Sequence, residues 1–143
     1  MLSVSCKAAI KSVVYLGSKL QPDDRAGVKD IARFINENEH TVGKVLQKLV
    51  QSEIIHSTKG PNGGFYISDK QKTRPVITLV DAIDGLTVFE QCGLGFASCN
   101  DHRPCPFHHD FKKVRELFRK MCSENTIDDL CLQVENGLAW VGE

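Results

Sequence analysis

Three closely spaced thiols define the chemistry this sequence has to offer. Cys92, Cys99 and Cys105 fall within 14 residues of one another, in a stretch from Gln91 to Pro106 dominated by Gly, Cys, Asn and Pro, and His108 and His109 follow at once. Thiolates are the usual ligands of iron–sulfur clusters, and a glycine-rich loop can wrap three of them round a two-iron or four-iron cluster. Zinc also accepts three cysteines and a histidine, but structural zinc sites use short Cys-x2–4-Cys turns, and this loop has none. A metal-free thiol switch needs only the cysteines. Cys105 with His108 has the composition of a nucleophile and its base, yet nothing supplies an oxyanion site or an orienting group, so an enzyme is not expected. Cys6, Cys122 and Cys131 sit in helix-like sequence and read as buried small hydrophobes.

The rest of the chain must position that loop. Its 143 residues make about one domain with an appendage, and its 25% charged and 41% hydrophobic residues are ordinary for a globular protein. No apolar run approaches the roughly 18 residues that span a bilayer. The early lysines precede no apolar stretch with a cleavage site, so a cytoplasmic protein with reduced thiols is expected. The net charge of zero conceals an asymmetry. Residues 1–75 hold 12 Lys and Arg against 7 Asp and Glu, and residues 76–143 hold 6 against 11. A basic half suits a polyanionic partner.

Ala9, Ile10, Val13, Val14, Leu16 and Leu20 recur at helical spacing and predict a first helix of about 13 residues that stops at Gln21-Pro22-Asp23-Asp24. Val28, Ile31, Ala32 and Ile35 mark a short second helix, closed by Asn36-Glu37-Asn38. Val42, Val45, Leu46, Leu49 and Val50 mark a third, with Asn38 as its N-cap. Two short amphipathic helices joined by a tight polar turn are the pattern of a helix-turn-helix. The β-prone stretches Ile54–Lys59 and Phe65–Ser68 flank Gly60-Pro61-Asn62-Gly63-Gly64 and predict a hairpin. A polar linker, Asp69 to Pro75, leads to a helix capped by Thr78 and stopped at Gly85. Beyond the cysteine loop, Phe107, Phe111, Val114, Phe118 and Met121 alternate in steps of four and three, the spacing of a seam between paired helices. A last helix runs from about Ile127 to Trp140.

Opposite its apolar side, the third helix offers His40, Thr41, Lys44, Gln47, Lys48 and Gln51, with no acid after Glu39. Such groups bond base edges and phosphates. In a helix-turn-helix the second helix enters the major groove N-terminal residues first. His40, Thr41 and Lys44 are therefore the candidates for base contact, and Lys48 for phosphate contact. Lys59, Gly60, Pro61, Asn62 and Gly63 form a hairpin tip with one cation and no bulky side chain, able to approach a phosphate backbone closely. The tip matches neither the P-loop nor the dinucleotide fingerprint, and no helix N-terminus follows it, so a nucleotide cradle is not expected.

The run from Val28 to Ser68, ending in KGPNGGFYIS, together with QCGLGFASCNDHRPCPFHH, resembles the Rrf2 family of bacterial winged-helix repressors over nearly the whole chain. That resemblance implies a mostly α fold with a small β-hairpin: a winged helix-turn-helix domain over 1–75, a linking helix and sensor loop over 76–106, and a dimerisation helix with a C-terminal helix over 107–143. It implies a homodimer on double-stranded DNA, with no membrane and no small-molecule substrate. The recognition helix corresponds to Asn38 through Ser52, the wing to Lys59 through Gly64, and a crossed long helix begins near Phe107. An iron–sulfur cluster, two-iron or four-iron, is held by Cys92, Cys99 and Cys105, or is absent, since some relatives work without one. The loop then senses iron–sulfur, redox or nitric-oxide status. The intervals of six and five residues depart by one from the family's five and five, which Gly93 and Gly95 can absorb. In the iron–sulfur assembly regulators of the family a histidine three residues past the last cysteine is the fourth ligand, which falls on His108. In its nitric-oxide sensors an aspartate on the partner's first helix serves; the matching region here reads Ser5-Cys6-Lys7, so Cys6 and His109 also enter as candidates.

Overall fold

The computed structural model describes residues 1–142. The first helix, α1 (Val4–Ser18), starts before the apolar repeat does, because the Ser3 hydroxyl accepts a hydrogen bond from the Cys6 amide at 3.0 Å and caps it. Cys6, Ala8, Ala9, Ser12, Val13, Val14 and Leu16 are all buried on it. Burial on several sides makes α1 the central post of the fold, and α2 (Val28–Ile35), α3 (Glu39–Gln51), α5 (Ile77–Ile83) and α7 (Ile127–Glu135) pack around it.

The helix-turn-helix follows from its turn. Asn36 ends α2 in the left-handed region at φ 54°, a conformation asparagine tolerates well. Two residues later Asn38 accepts from the amides of His40 at 2.8 Å and Thr41 at 3.2 Å, capping α3. Asn38→Ala is expected to cost about 1 kcal/mol of stability. Urea denaturation reads that as a lower midpoint at unchanged slope, and an unchanged midpoint would remove the cap from the account.

The hairpin is shorter than its β-prone residues: β1 (His56–Thr58) pairs antiparallel with β2 (Gly64–Tyr66), His56 opposite Tyr66. Ala26, just before α2, bridges Phe65 through two hydrogen bonds of 3.1 and 2.8 Å, so the hairpin is fastened to the helix-turn-helix. Gly64 has φ 143°, and a Cβ there would meet the Ala26 carbonyl, so only glycine permits this close approach.

Three boundaries differ from the sequence expectation. The linker from Asp69 contains a helical turn, α4 (Asp69–Lys72), held by a reciprocal capping box between Ser68 and Gln71. Thr78 does not cap α5; it lies inside the helix, its hydroxyl donating to the Pro75 carbonyl at 2.7 Å. The last helix, α7, ends at Glu135 rather than Trp140, because Asn136 and Gly137, at φ 71°, terminate it. The tail after α7 turns back, and Ala139 and Val141 pack on the main core.

After α5 comes a short 3-10 turn, Leu86–Phe89, then the cysteine loop, then α6 (His108–Glu124). Two apolar clusters hold these parts together. The larger joins α1, α2, α3, α5 and α7. The smaller, built on Cys6, Val80, Val88, Phe89 and Cys122, fastens α6 to α1 and α5. The far end of α6 is also tied to the core, since the Val76 amide donates to the Asn125 carbonyl at 2.8 Å and the Ile127 amide to the Arg74 carbonyl at 2.9 Å. No helix among the described residues is long and apolar enough to cross a membrane.

Candidate nucleic-acid interface and cysteine site

On α3 the apolar residues Val42, Val45, Leu46 and Leu49 are buried, which turns the other face outward. His40, Lys44, Gln47, Lys48 and Gln51 are exposed there and Thr41 is half-buried. The Asn38 cap puts His40 and Thr41 on the first turn, the end expected to approach base edges. In the wing, Lys59, Gly60, Pro61 and Asn62 are exposed, and the tip closes through the Gly63 amide on the Gly60 carbonyl at 2.9 Å, Gly60 having φ 102°. Sequence reasoning passed over Arg25. Its guanidinium lies 3.6 Å from the centre of the Tyr66 ring and its Nε donates to the Thr58 hydroxyl at 3.3 Å, placing a second cation at the root of the wing.

The three loop cysteines fall into two groups. Cys92 and Cys105 are both buried, and each lies near enough to perturb the other's thiol. The turn Cys92-Gly93-Leu94-Gly95 closes through the Gly95 amide on the Cys92 carbonyl at 3.0 Å, with Gly95 at φ 78°. This folds backbone amides round the Cys92 sulfur. The Leu94 amide lies 3.4 Å from it, and the amides of Leu94 and then Phe96 hold the thiol below its ordinary pKa. Burial pushes Cys105 the other way. The Phe111 ring covers Gly93, where a Cβ would come within 2.8 Å of it, so Gly93 serves as a seat for α6.

Cys99 is turned toward α6. Its sulfur is 3.3 Å from His108 Nδ1, and His108 Nε2 is 2.6 Å from an Asp101 carboxylate oxygen, which Lys112 also approaches at 3.5 Å. The His108 contact, ahead of Lys112, holds Asp101 below the usual carboxylate range. Arg115 donates to Cys99 Sγ at 3.0 Å and to the carbonyls of Glu90 and Gln91 at 2.7 and 2.8 Å. An open cleft of about 400 Å³ lies beside Cys99, lined by Phe89, Asp101, His108, Lys112, Arg115 and Arg119. Asp101 and Arg115 carried no recognisable signal in the sequence.

Among the described residues no three Cys, His, Asp or Glu side chains converge as a ready site for one metal ion. The donor set nonetheless fits an iron–sulfur cluster: three sulfurs, amides aimed at one and a guanidinium at another, the environment that stabilises anionic ligand sulfur. His108, 3% exposed, belongs to this site, whereas His109 is exposed with its ring edge-on to His108. Cys6 does not belong to it. Cys6 is fully buried in the smaller core with Cys122, and burial, ahead of the nearby Asp84, pushes its thiol up to about 12. Burial likewise pushes Cys131 up to about 11 and raises Cys122.

The exposed apolar stripe at α6 keeps Phe107, Val114 and Met121 of the seam read from the sequence but has Leu117 in place of Phe111 and Phe118. Phe118 stacks on Phe89 at 5.1 Å and Phe111 covers Gly93, so both face their own chain. Phe107, Val114, Leu117 and Met121 are exposed instead, at 59, 48, 68 and 53%. They form a continuous stripe at seven-residue and three-four spacing.

A family model described as Rrf2, iron-dependent transcriptional regulator, matches residues 2–133 of the chain. The HTH-type transcriptional regulator NsrR of Oceanobacillus iheyensis is 24% identical over 135 residues, 94% of this chain and 91% of that protein. Among solved structures, CymR, the global cysteine regulator of B. subtilis, superposes with a TM-score of 0.73 at 14% identity, over 92% of this chain and 96% of its own. IscR of T. potens does so with 0.65 at 12% identity, over 98% and 92%. At such identities the two structures speak for the fold alone.

Proposed function

The chain belongs to the Rrf2 family of transcriptional regulators, and we propose that it acts as a homodimeric DNA-binding repressor whose cysteine loop holds an iron–sulfur cluster. The observation that carries the DNA half of this reading is the outward face of α3, where His40, Lys44 and Lys48 stand exposed on a helix whose other face is locked in the core. His40, Thr41 and Lys44 read bases; Lys48 and the wing, Lys59 to Gly63, grip phosphates. Two copies joined along Val114, Leu117 and Met121 present two recognition helices to half-sites about 34 Å apart.

Replacing Lys44, Lys48 and Lys59 together by Ala is expected to weaken operator binding. Each lost phosphate contact lowers the slope of log affinity against log salt by about one unit. Fluorescence anisotropy over a salt series measures both, and an unchanged slope in the triple variant removes this surface from the account.

Cys92, Cys99 and Cys105 are the cluster ligands in this reading, with His108 as the fourth. Bound there, a cluster supplies one-electron and ligand-exchange chemistry. The division of the donors into two groups favours a polynuclear centre, whose ligands sit on different irons, over zinc, which gathers four donors round one ion at about 2.0–2.3 Å. A thiol switch without metal is the second reading, favoured by the Cys99–His108–Asp101 chain of contacts, in which a carboxylate-held imidazole stands beside a thiol. Anaerobic purification with iron and sulfide analysis separates the two. The loop joins the winged domain to α6, so its state is in a position to bias the spacing of the recognition helices.

A further inference from the structure

We propose that Arg115 is the counter-cation of the cysteine site and holds Cys99 in the position from which it ligates; the inference rests on the cluster reading above. A guanidinium stays charged at any accessible pH, and burying that charge without an opposite one is costly. Arg115 is only 7% exposed, yet no carboxylate among the described residues pairs with it. Its contacts are the two carbonyls of Glu90 and Gln91, the Cys99 sulfur, and the Phe111 ring 5.7 Å away, and its buried Nε has no partner at all. Carbonyls and an aromatic face disperse a positive charge without cancelling it.

A neutral thiol is a weak acceptor and leaves the charge uncompensated. A sulfur bound to iron is anionic and compensates it. The other cations of the cleft are otherwise engaged: Lys112 pairs with Asp101, and Arg119 lies over Phe89 at 5.5 Å. Of Lys112, Arg115 and Arg119, Arg115 is the one in contact with sulfur. Its fork also has a fixed plane, because one nitrogen holds two consecutive carbonyls at the end of the 3-10 turn while the other holds Cys99. Arg115 therefore ties the turn, the loop and α6 at one point, as a positioning residue.

The test compares wild-type protein with Arg115→Met and Arg115→Lys, each loaded anaerobically with ferrous iron and sulfide, with circular dichroism as the check on folding. In Arg115→Met the midpoint potential is expected to fall, because reduction adds negative charge that the cation no longer favours. A tenfold change in the ratio of reduced to oxidised cluster corresponds to about 59 mV for one electron. Cluster half-life under a chelator should shorten about tenfold, the scale of an outer-shell change. Arg115→Lys keeps the charge and the wild-type potential but loses half-life, since one ammonium cannot hold two carbonyls and a sulfur in a plane. If Arg115→Met matches the wild type in both measurements, or if Met and Lys lose both equally, Arg115 only fills space and the proposal falls. Should Arg115→Met not fold, a Lys variant with wild-type half-life overturns it. Wild-type protein that stays colourless refutes the cluster reading itself.

Discussion

Cys92→Ala, Cys99→Ala and Cys105→Ala are each expected to abolish the brown colour of anaerobically purified protein, while Cys122→Ala and Cys131→Ala leave it intact. The contrast follows from placement. Cys92 and Cys105 lie buried near one another in the loop and Cys99 meets α6, whereas Cys122 and Cys131 lie in apolar clusters with their thiols pushed up by burial. Loss of a direct ligand should exceed the roughly 10–100-fold weakening typical of outer-shell changes. His108→Ala, if His108 is the fourth ligand, weakens the cluster without removing it. Absorption spectra with iron and sulfide assays decide the matter. Colour that survives all three substitutions refutes the ligand set, and stoichiometric zinc in colourless protein returns the loop to a structural role.

The second large effect concerns assembly. Leu117→Glu and Met121→Glu should each give a folded monomer whose operator affinity is lower by about 100-fold or more, the usual scale when two half-sites are no longer engaged together. Leu117, at 68% exposure, touches little of its own chain, so a carboxylate there costs the monomer almost nothing. Phe118→Glu, by contrast, strips Phe89 of its partner in the smaller core and should lower thermal stability whatever the oligomeric state. Light scattering alongside thermal denaturation tells these apart. A stable dimer in both Leu117→Glu and Met121→Glu would rule the stripe out as the interface.

The contrast between Leu117 and Phe118 shows where sequence reasoning stops. The three-four rhythm correctly placed an apolar arc on α6, and Val114 and Met121 belong to it on either reading. Which flank of the arc is covered depends on Gly93 and Phe89, brought there by the loop and the 3-10 turn, and no local pattern encodes that return. Arg115 and Asp101 escaped for the same reason: each acts through partners that only tertiary structure brings near. Features with local causes were legible. The α2–α3 turn needs only Asn36 and Asn38, and the wing needs its glycines. The helical turn at Asp69 was missed although Ser68 and Gln71 stand at the spacing of a capping box, so that signal was present but passed over.

The two ends of α6 are held very differently, and this makes the helix a lever. Its C-terminal end is pinned by backbone hydrogen bonds around Asn125 and by the Phe118 and Cys122 contacts, which together act as a fulcrum. Its N-terminal end rests on the cysteine loop, through Phe111 on Gly93, His108 against Cys99 and the Arg115 fork. The 17 residues of the rod span about 25 Å. A displacement of about 1 Å at the loop therefore swings the rod through about 2°, and the exposed stripe swings with it. In the dimer proposed above the angles of two such rods add, so that a shift of about 1 Å in the loop would change the pitch between the winged domains by about twice that angle.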